Sequence, residues 1–498
     1  MLRFPKTLAL IAGLASATGF APLDLWPLTF ACVALLLHLV ITAPNLRGAL
    51  ARGYWFAVGH FTIGLNWIAG SFAYQDAMPH WLGWFAVVAL SLYLAAYPAM
   101  AAGLAWRHGR ANKLVFVLLF AAAWIVTEWL RATVFTGFAW NPLGVVLVDA
   151  ASPSAMIGTY GLSGLACLLS GAIFLLAARH WRPASAILAG VLLANVATQK
   201  WLSLSNADAA YMRGPLVRIV QPNIGQQDKH NDAFDAINFR KLEAMTGAPE
   251  RTPRLLLWPE AAIPDYIEEE PWARARLATL LGPKDALLTG GVALEYDKTG
   301  DLVGARNSVF ALLSNGSIAA RYDKSHLVPY GEYLPMRPIL SAIGLSRLVP
   351  GDLDFWPGPG PKSYAVPGFG EVGLQICYEI IFSGQVVDRH HRPDFLFNPS
   401  NDAWFGSWGP PQHLAQARLR AVEEGIPIVR STPTGISAVV DANGEILKSL
   451  PYQQAGFIET RLPVAHAPTL FSRFGNHLPL GFALLLAITG IALRRRLR

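Results

Sequence analysis

Charge is what this sequence has least of. Asp, Glu, Lys and Arg make up 15% of its 498 residues and hydrophobic residues 53%, where soluble proteins carry about a quarter charged residues. That shortage excludes an ordinary soluble protein as a description of the whole chain. The deficit is also local. From Thr7 to Leu202 charges are rare and isolated, from Arg213 to Arg461 they reach globular density, and a final apolar run leads into Arg494, Arg495, Arg496 and Arg498. The net charge of +7 does not point to nucleic acid, because the basic residues are dispersed or clustered beside apolar runs. That is the pattern of membrane topology.

Cysteine is nearly as scarce. Two of the three, Cys32 and Cys167, fall in apolar runs, which leaves Cys377 alone in the charged segment. A lone cysteine offers no disulfide framework; it is either a small buried apolar residue or a thiol kept for chemistry. Composition alone slightly favours the first. Metal-ligand spacing is missing too: His390 and His391 are adjacent and have no Cys/His partners at suitable intervals, so no metal and no other cofactor is expected.

Long apolar runs are what the sequence does have. A spanning helix needs about 20 mostly apolar residues, and eight candidates can be read, approximately 7–21, 25–42, 53–70, 82–106, 114–130, 155–178, 184–201 and 475–493. The first follows Arg3 and Lys6 and resembles a signal-peptide core. Further apolar segments follow at once, so an uncleaved anchor is expected. The expected organisation is a bundle of about seven helices over 1–204, a globular domain over 205–470, and a last spanning helix with a basic tail over 471–498.

The loops suggest an orientation. Arg47 and Arg52, then Arg107, Arg110 and Lys113, then Arg179 and Arg182 all fall in alternate connections on the N-terminal side. The intervening connections Pro22–Asp24 and Ser71–His80 carry no Lys or Arg, and the one from the fifth to the sixth helix offers Arg131 alone. Basic loops stay cytoplasmic, so seven crossings put 205–470 on the extracytoplasmic face and the Arg-rich tail inside. Glu128, in the fifth helix, is a costly carboxylate for lipid. It is expected to face the bundle interior near Arg131, as a lining residue or a structural pair.

Within 205–470, apolar runs at Leu216–Gln221, Arg254–Trp258, Ala286–Leu294, Val309–Ser314, Glu371–Ile376 and Phe395–Asn398 read as strands, alternating with helical stretches near Pro271–Leu281 and Pro411–Gly425. Asn315-Gly316 and Asn443-Gly444 are hairpin signals, which explains Asn315-Gly316-Ser317 better than a glycosylation site does. The pattern implies α/β layering around a sheet-rich core.

Three strand ends then carry chemistry. Leu255–Trp258 ends in Pro259-Glu260, the strand after the Asn315 hairpin ends in Tyr322-Asp323-Lys324, and Val372–Ile376 ends in Cys377-Tyr378-Glu379. A base, a cation and a thiol on rigid strand tips can meet in one cleft, with nearby backbone N–H groups to receive an oxyanion. Singly, Glu260 and Lys324 read as solvated loop charges. Their joint occurrence with the lone thiol argues for a site.

Trp258-Pro259-Glu260, Tyr322-Asp323-Lys324 and Cys377-Tyr378-Glu379 resemble the Glu–Lys–Cys signature of the carbon–nitrogen hydrolase (nitrilase) superfamily over roughly residues 214–462. With seven apolar segments before it and one after, the layout is similar to the bacterial apolipoprotein N-acyltransferase family. The strings Lys324–Pro335, Asn398–Phe405 and Thr434–Ala438 match that family closely. The resemblance implies a four-layer αββα sandwich attached to an α-helical transmembrane bundle in a bacterial inner membrane, with the sandwich periplasmic. It implies transfer of a fatty acyl chain from a phospholipid to the α-amine of the N-terminal diacylglyceryl-cysteine of an apolipoprotein. It also implies roles: Glu260 as general base, Cys377 as nucleophile and thioester carrier, Lys324 as oxyanion stabiliser. Glu332 would be the family's second glutamate, or else a loop carboxylate. Tyr378 and Glu379 would shape the site, while Trp404 and Phe405 line an acyl path or a gating loop, or simply pack. The chain departs from the family at His230, where a tryptophan often follows Asn-Ile-x-Gln-x-x-Lys, so no substrate contact is carried onto that position. Rival readings are a membrane-anchored amidase with water as acceptor, a transporter or receptor with a ligand-binding outer domain, and a metal enzyme using His390 and His391.

Overall fold

The computed structural model describes residues 4–74, 78–205, 212–229, 231–342 and 355–496. His230 lies outside the described residues. The chain forms two compact units: Met1–Ala69, Trp81–Ala207 and Pro468–Arg498 make the first, and Gly70–His80 with Asp208–Ala467 makes the second.

The first unit is helical. Leu82–Gly109, Lys113–Thr133, Ser154–Ala177, Trp181–Ser205 and His477–Arg496 are long and apolar enough to cross a membrane, and Trp26–Ile41 is a shorter apolar helix. Trp181–Ser205 leaves Leu188, Leu192, Leu193 and Val196 exposed, as a lipid-facing helix would. Three boundaries differ from the sequence reading. The first helix is Pro5–Ser16 rather than 7–21, about 18 Å at 1.5 Å per residue. The third is Leu46–Gly64, not 53–70. It starts early because the Asn45 side chain accepts from Gly48 N and caps it, so Arg47 and Arg52 lie inside the helix rather than in a loop. The fourth run breaks into Leu82–Leu94 and Ala96–Gly109, since Pro98 has no N–H to offer the Leu94 carbonyl. Small residues let the first and third helices touch backbone to backbone: a Cβ on Gly13 would strike the Phe56 carbonyl, and one on Gly59 the Leu10 carbonyl.

Glu128 and Arg131 are both buried in this unit. The Glu128 carboxylate accepts from Leu143 N at 2.8 Å and Trp124 Nε1 at 3.2 Å, with Arg131 3.9 Å away. Arg131 donates to the Phe138 and Trp140 carbonyls at 3.0 and 2.9 Å. Burial is tolerated because Glu128 Oε1 and the Arg131 guanidinium each meet polar partners within the unit.

The second unit holds two six-stranded sheets. Strands β1 (Leu216–Gln221), β2 (Leu255–Leu257), β3 (Ala286–Tyr296), β4 (Leu302–Leu313), β5 (Ile318–Asp323) and β12 (Gly456–Arg461) form one, in the order β12-β1-β2-β3-β4-β5. Strands β6 (Ser363–Val366), β7 (Gly370–Leu374), β8 (Phe395–Pro399), β9 (Ile428–Ser431), β10 (Ala438–Val440) and β11 (Ile446–Ser449) form the other, in the order β11-β10-β9-β8-β7-β6. Each has a parallel core, β1-β2-β3 and β7-β8-β9, flanked by antiparallel strands. Both hairpins are present, with Gly316 at φ 79° and Gly444 at φ 80°.

Helices cover the outer faces. Leu242, from Asp232–Thr246, and Ala273 and Leu277, from Pro271–Ala278, pack on Val220, Leu256, Trp258, Leu287 and Phe310 of the first sheet. Each fully buried large side chain of this kind contributes about 1.5–3 kcal/mol. Helix Gly409–Glu424, ended by Gly425 in the left-handed region at φ 63°, covers the second sheet. Where the sheets face each other the contact is partly polar: Ser431 Oγ donates to the Val220 carbonyl, and Ser437 N to Gln221 Oε1. The layering is αββα, and the parallel strands deliver their C-terminal ends to one side.

Candidate active site

Three of those ends converge. After β2, Trp258 is buried, its Nε1 2.9 Å from Thr246 Oγ1. That anchors a turn in which Glu260 precedes Ala261 at φ 43°. Glycine is required opposite it, because a Cβ on Gly290 would collide with Ala261 N and Glu260 Cα. Lys324 follows β5 directly. Cys377 opens a short 3-10 turn, Cys377–Ile381, just beyond β7. Its φ of 51° is left-handed, a conformation costing a non-glycine residue about 1–2 kcal/mol.

Buried polar groups hold that strained turn. His413 Nε2 lies 3.1 Å from the Cys377 carbonyl, and Asn398 Nδ2 donates to the Gln375 carbonyl at 2.6 Å and to that of Cys377 at 3.4 Å. His413 Nδ1 is 3.0 Å from Asp402, which pairs with Arg430 at 2.6 Å.

The structure brings Glu260, Lys324, Glu332 and Cys377 together, all buried. Lys324 Nζ is 3.3 Å from Glu260 Oε1 and 3.0 Å from Glu332 Oε1. Asn307, on β4, donates to the same two oxygens at 2.7 and 2.9 Å. Glu332 Oε2 accepts from Val328 N at 2.8 Å, which fixes the loop beyond Lys324.

The electrostatics follow from burial and these pairs. Burial pushes the Glu260 carboxyl up, but the Lys324 and Lys229 ammoniums and hydrogen bonds from Asn307 and Cys377 outweigh it and hold it below the usual carboxylate range. Burial also disfavours the Lys324 ammonium, yet Glu260 and Glu332 overcome this and raise it above the ordinary lysine value. The Cys377 thiol is driven well up, first by burial and then by the Glu260 charge, with Lys324 and the Asn401 backbone N–H opposing. At neutral pH the arrangement is therefore a neutral thiol beside an ionised carboxylate and a fixed ammonium. A proton can move from sulfur to Glu260 without changing the net charge of the site.

The flanking residues have distinct places. The Glu379 carboxylate is buried and accepts from Ile376 N, Ser325 N and Ser325 Oγ at 2.7 Å each, from His326 N at 3.1 Å and from Tyr322 OH at 2.9 Å. Tyr378 packs edge-on against Phe382, with centroids 5.3 Å apart. Trp404 accepts at its carbonyl from Ser71 Oγ at 2.8 Å and meets the Tyr74 ring edge-on at 5.9 Å. Phe405 meets the His413 ring edge-on, with centroids 5.8 Å apart.

Comparison with known proteins identifies the family. Residues 12–172 match the apolipoprotein N-acyltransferase N-terminal domain and residues 216–467 the carbon–nitrogen hydrolase domain. A curated apolipoprotein N-acyltransferase of Bradyrhizobium diazoefficiens is 35% identical, covering 98% of this chain and 94% of its own. Those of Rhodopseudomonas palustris and Caulobacter vibrioides are 34% and 35% identical, each over 98% of this chain and 95% and 94% of theirs. The chain belongs to the apolipoprotein N-acyltransferase family. It is an acyltransferase and a membrane protein, built on the carbon–nitrogen hydrolase fold.

Several residues around Glu260, Lys324 and Cys377 carry little signal in the sequence. Asn307 bridges the two glutamates from mid-strand, where its only signal is a polar residue at a buried strand position. His413 and Arg430 sit in a helix and a strand that look ordinary. Asn401 and Asp402 fall in the Asn398–Phe405 string that resembles the family, with nothing local to mark a role. Lys229 is the lysine of the Asn-Ile-x-Gln-x-x-Lys string, which gives it no chemical role, yet its ammonium donates to the Glu260 carbonyl at 2.8 Å.

Proposed function

We propose that this chain moves a fatty acyl chain from a phospholipid to the α-amine of the N-terminal diacylglyceryl-cysteine of an apolipoprotein, in two steps through a thioester on Cys377. The observation that carries the reading is the buried cluster in which the Cys377 thiol, the Glu260 carboxylate and the Lys324 ammonium meet.

In the first step Glu260 takes the thiol proton as sulfur attacks the phospholipid ester carbonyl. The carbonyl oxygen becomes negative, and Lys324 with the backbone N–H after Cys377 receives that charge. One such donor is worth about 3–4 kcal/mol of barrier. Collapse breaks the ester C–O bond, and protonated Glu260 gives its proton to the departing lysophospholipid alkoxide. In the second step Glu260 takes a proton from the acceptor amine as nitrogen attacks the thioester carbonyl, the C–S bond breaks, and Glu260 returns that proton to the departing sulfur, restoring the thiol. Lys324 keeps its proton throughout, because Glu260 and Glu332 hold it charged.

The membrane bundle supports a lipid donor, and burial of the thiol supports a thioester sheltered from water. The bundle spans a bacterial cytoplasmic membrane, with the catalytic domain on the periplasmic side, a reading supported by basic residues gathered in or beside alternate connections. An assay with labelled phospholipid and a diacylated lipopeptide tests the function. Label should appear as an amide on the lipopeptide and be absent with Cys377→Ala. Release of labelled free acid with no transfer to amine would replace this reading by an amidase-like hydrolase.

A further inference from the structure

Lys229 ends the single helical turn Gln226–Lys229 that follows β1. Its Nζ donates to the Glu260 carbonyl at 2.8 Å. With the Asn401 amide oriented to satisfy its neighbours, the same ammonium reaches the Asn401 side-chain oxygen at 3.3 Å. Asn401 in turn directs its backbone N–H at the Cys377 sulfur. One ammonium is thus hydrogen-bonded to both turns that flank the thiol.

We propose that Lys229 is a second cation of this active site, a positioning residue that ties the Glu260 turn to the Asn401 turn and supplies positive charge to the Glu260–Cys377 pair. The inference rests on the reading of Cys377 as nucleophile and Glu260 as its base. Every charged neighbour has a place in it. Lys324, beyond β5, is shared by Glu260 and Glu332, and Asp402 is taken up by Arg430. Lys229 is left facing Glu260 and Cys377 from the β1 side. Whether the negative charge rests on the carboxylate or on sulfur, this ammonium attracts it, so proton transfer between them keeps that attraction in place. Burial lowers the lysine pKa to about 8, with Glu260 and Cys377 working against the fall. The charge is therefore present at neutral pH and fades above about pH 8.

The test is single-turnover acylation of the full-length enzyme by phospholipid without acceptor, read by intact mass. The variants are Lys229→Met, Lys229→Gln and Lys229→Arg. Removing one charge worth about one pKa unit slows acylation about tenfold, so Met and Gln should both be slow at pH 7. Lys229→Arg should recover most of the rate and extend the profile past the point where the wild type declines above about pH 8. Should Lys229→Met fail to fold, the Gln and Arg pair decides. Wild-type rates in Lys229→Gln, with Met slow, would reduce Lys229 to a hydrogen-bond donor and overturn the charge role. Unchanged rates in all three overturn the inference alone, provided the wild type acylates. A wild type that takes no acyl group on Cys377 overturns the underlying reading and this inference with it.

Discussion

Glu379 reaches from the Cys377 turn to Ser325, the residue after Lys324, and accepts from both its backbone N–H and its hydroxyl at 2.7 Å. One carboxylate thereby sets the thiol-bearing turn and the lysine-bearing turn at a fixed distance. An amide at this position presents a donor where two acceptors are needed. Glu379→Gln should therefore lower kcat by about ten- to a hundredfold, a loss of about 1.4–2.8 kcal/mol of transition-state stabilisation. Substrate KM should change little, and steady-state kinetics on detergent-solubilised enzyme would separate the two.

Lys324 is held between two carboxylates and buried. Removing it takes the shared ammonium from between the Glu260 and Glu332 carboxylates, which costs about 3–5 kcal/mol of stability. Lys324→Ala should be inactive and also lower in Tm. Lys324→Arg keeps the charge but not the compact ammonium geometry, so it should recover Tm more than activity. Restoration of both by arginine would remove the lysine from the oxyanion site.

Glu260 also gives the enzyme a pH dependence with a defined sign. Its folded pKa lies below the ordinary value of about 4.3. Its contribution to stability is thus complete above that value and lost as pH falls through the lower folded one. The Cys377 thiol is shifted upward. Wild-type acylation should accordingly stay level across neutral pH, carried by the base. Glu260→Gln should be slow at pH 7 and climb with pH as the buried thiol ionises unaided. Parallel profiles for the two proteins would mean that Glu260 is not the base.

The orientation is testable separately. A reporter fused near Pro249 should score as extracytoplasmic and one fused after Arg498 as cytoplasmic, from the placement of the basic loops. The same side for both would mean that the number of crossings is wrong by one.

How much of this could be read from the chain depends on where the information sits. Cys377, Glu260 and Lys324 were legible because each follows an apolar strand run directly, and strand ends are marked by a sharp change of composition. The α/β layering was legible from the alternating strand and helix runs, whereas the four-layer sandwich followed only from the family resemblance. Asn307, Lys229 and His413 were not, because their partners lie 47, 31 and 36 positions away and only the sheet order brings them into range. The helix starting at Leu46 was misplaced because a capping asparagine outweighed the expectation that arginines end an apolar helix. The break near Ala95 was marked by Pro98 in plain view, but hydropathy runs straight through it. The attachment of Gly70–His80 to the catalytic unit has no local signal, since Ser71 and Trp404 lie 333 positions apart.

The central claim is a covalent acyl-enzyme on Cys377, and intact mass measures it most directly. Purified enzyme given phospholipid and no acceptor should gain the mass of one fatty acyl chain and release lysophospholipid. Neutral hydroxylamine should remove that mass, and a diacylated lipopeptide should discharge it into an amide that hydroxylamine leaves untouched. Cys377→Ala should show neither adduct nor product. Normal acyl transfer by Cys377→Ala, or turnover by the wild type with no hydroxylamine-sensitive adduct at any time, would contradict the account.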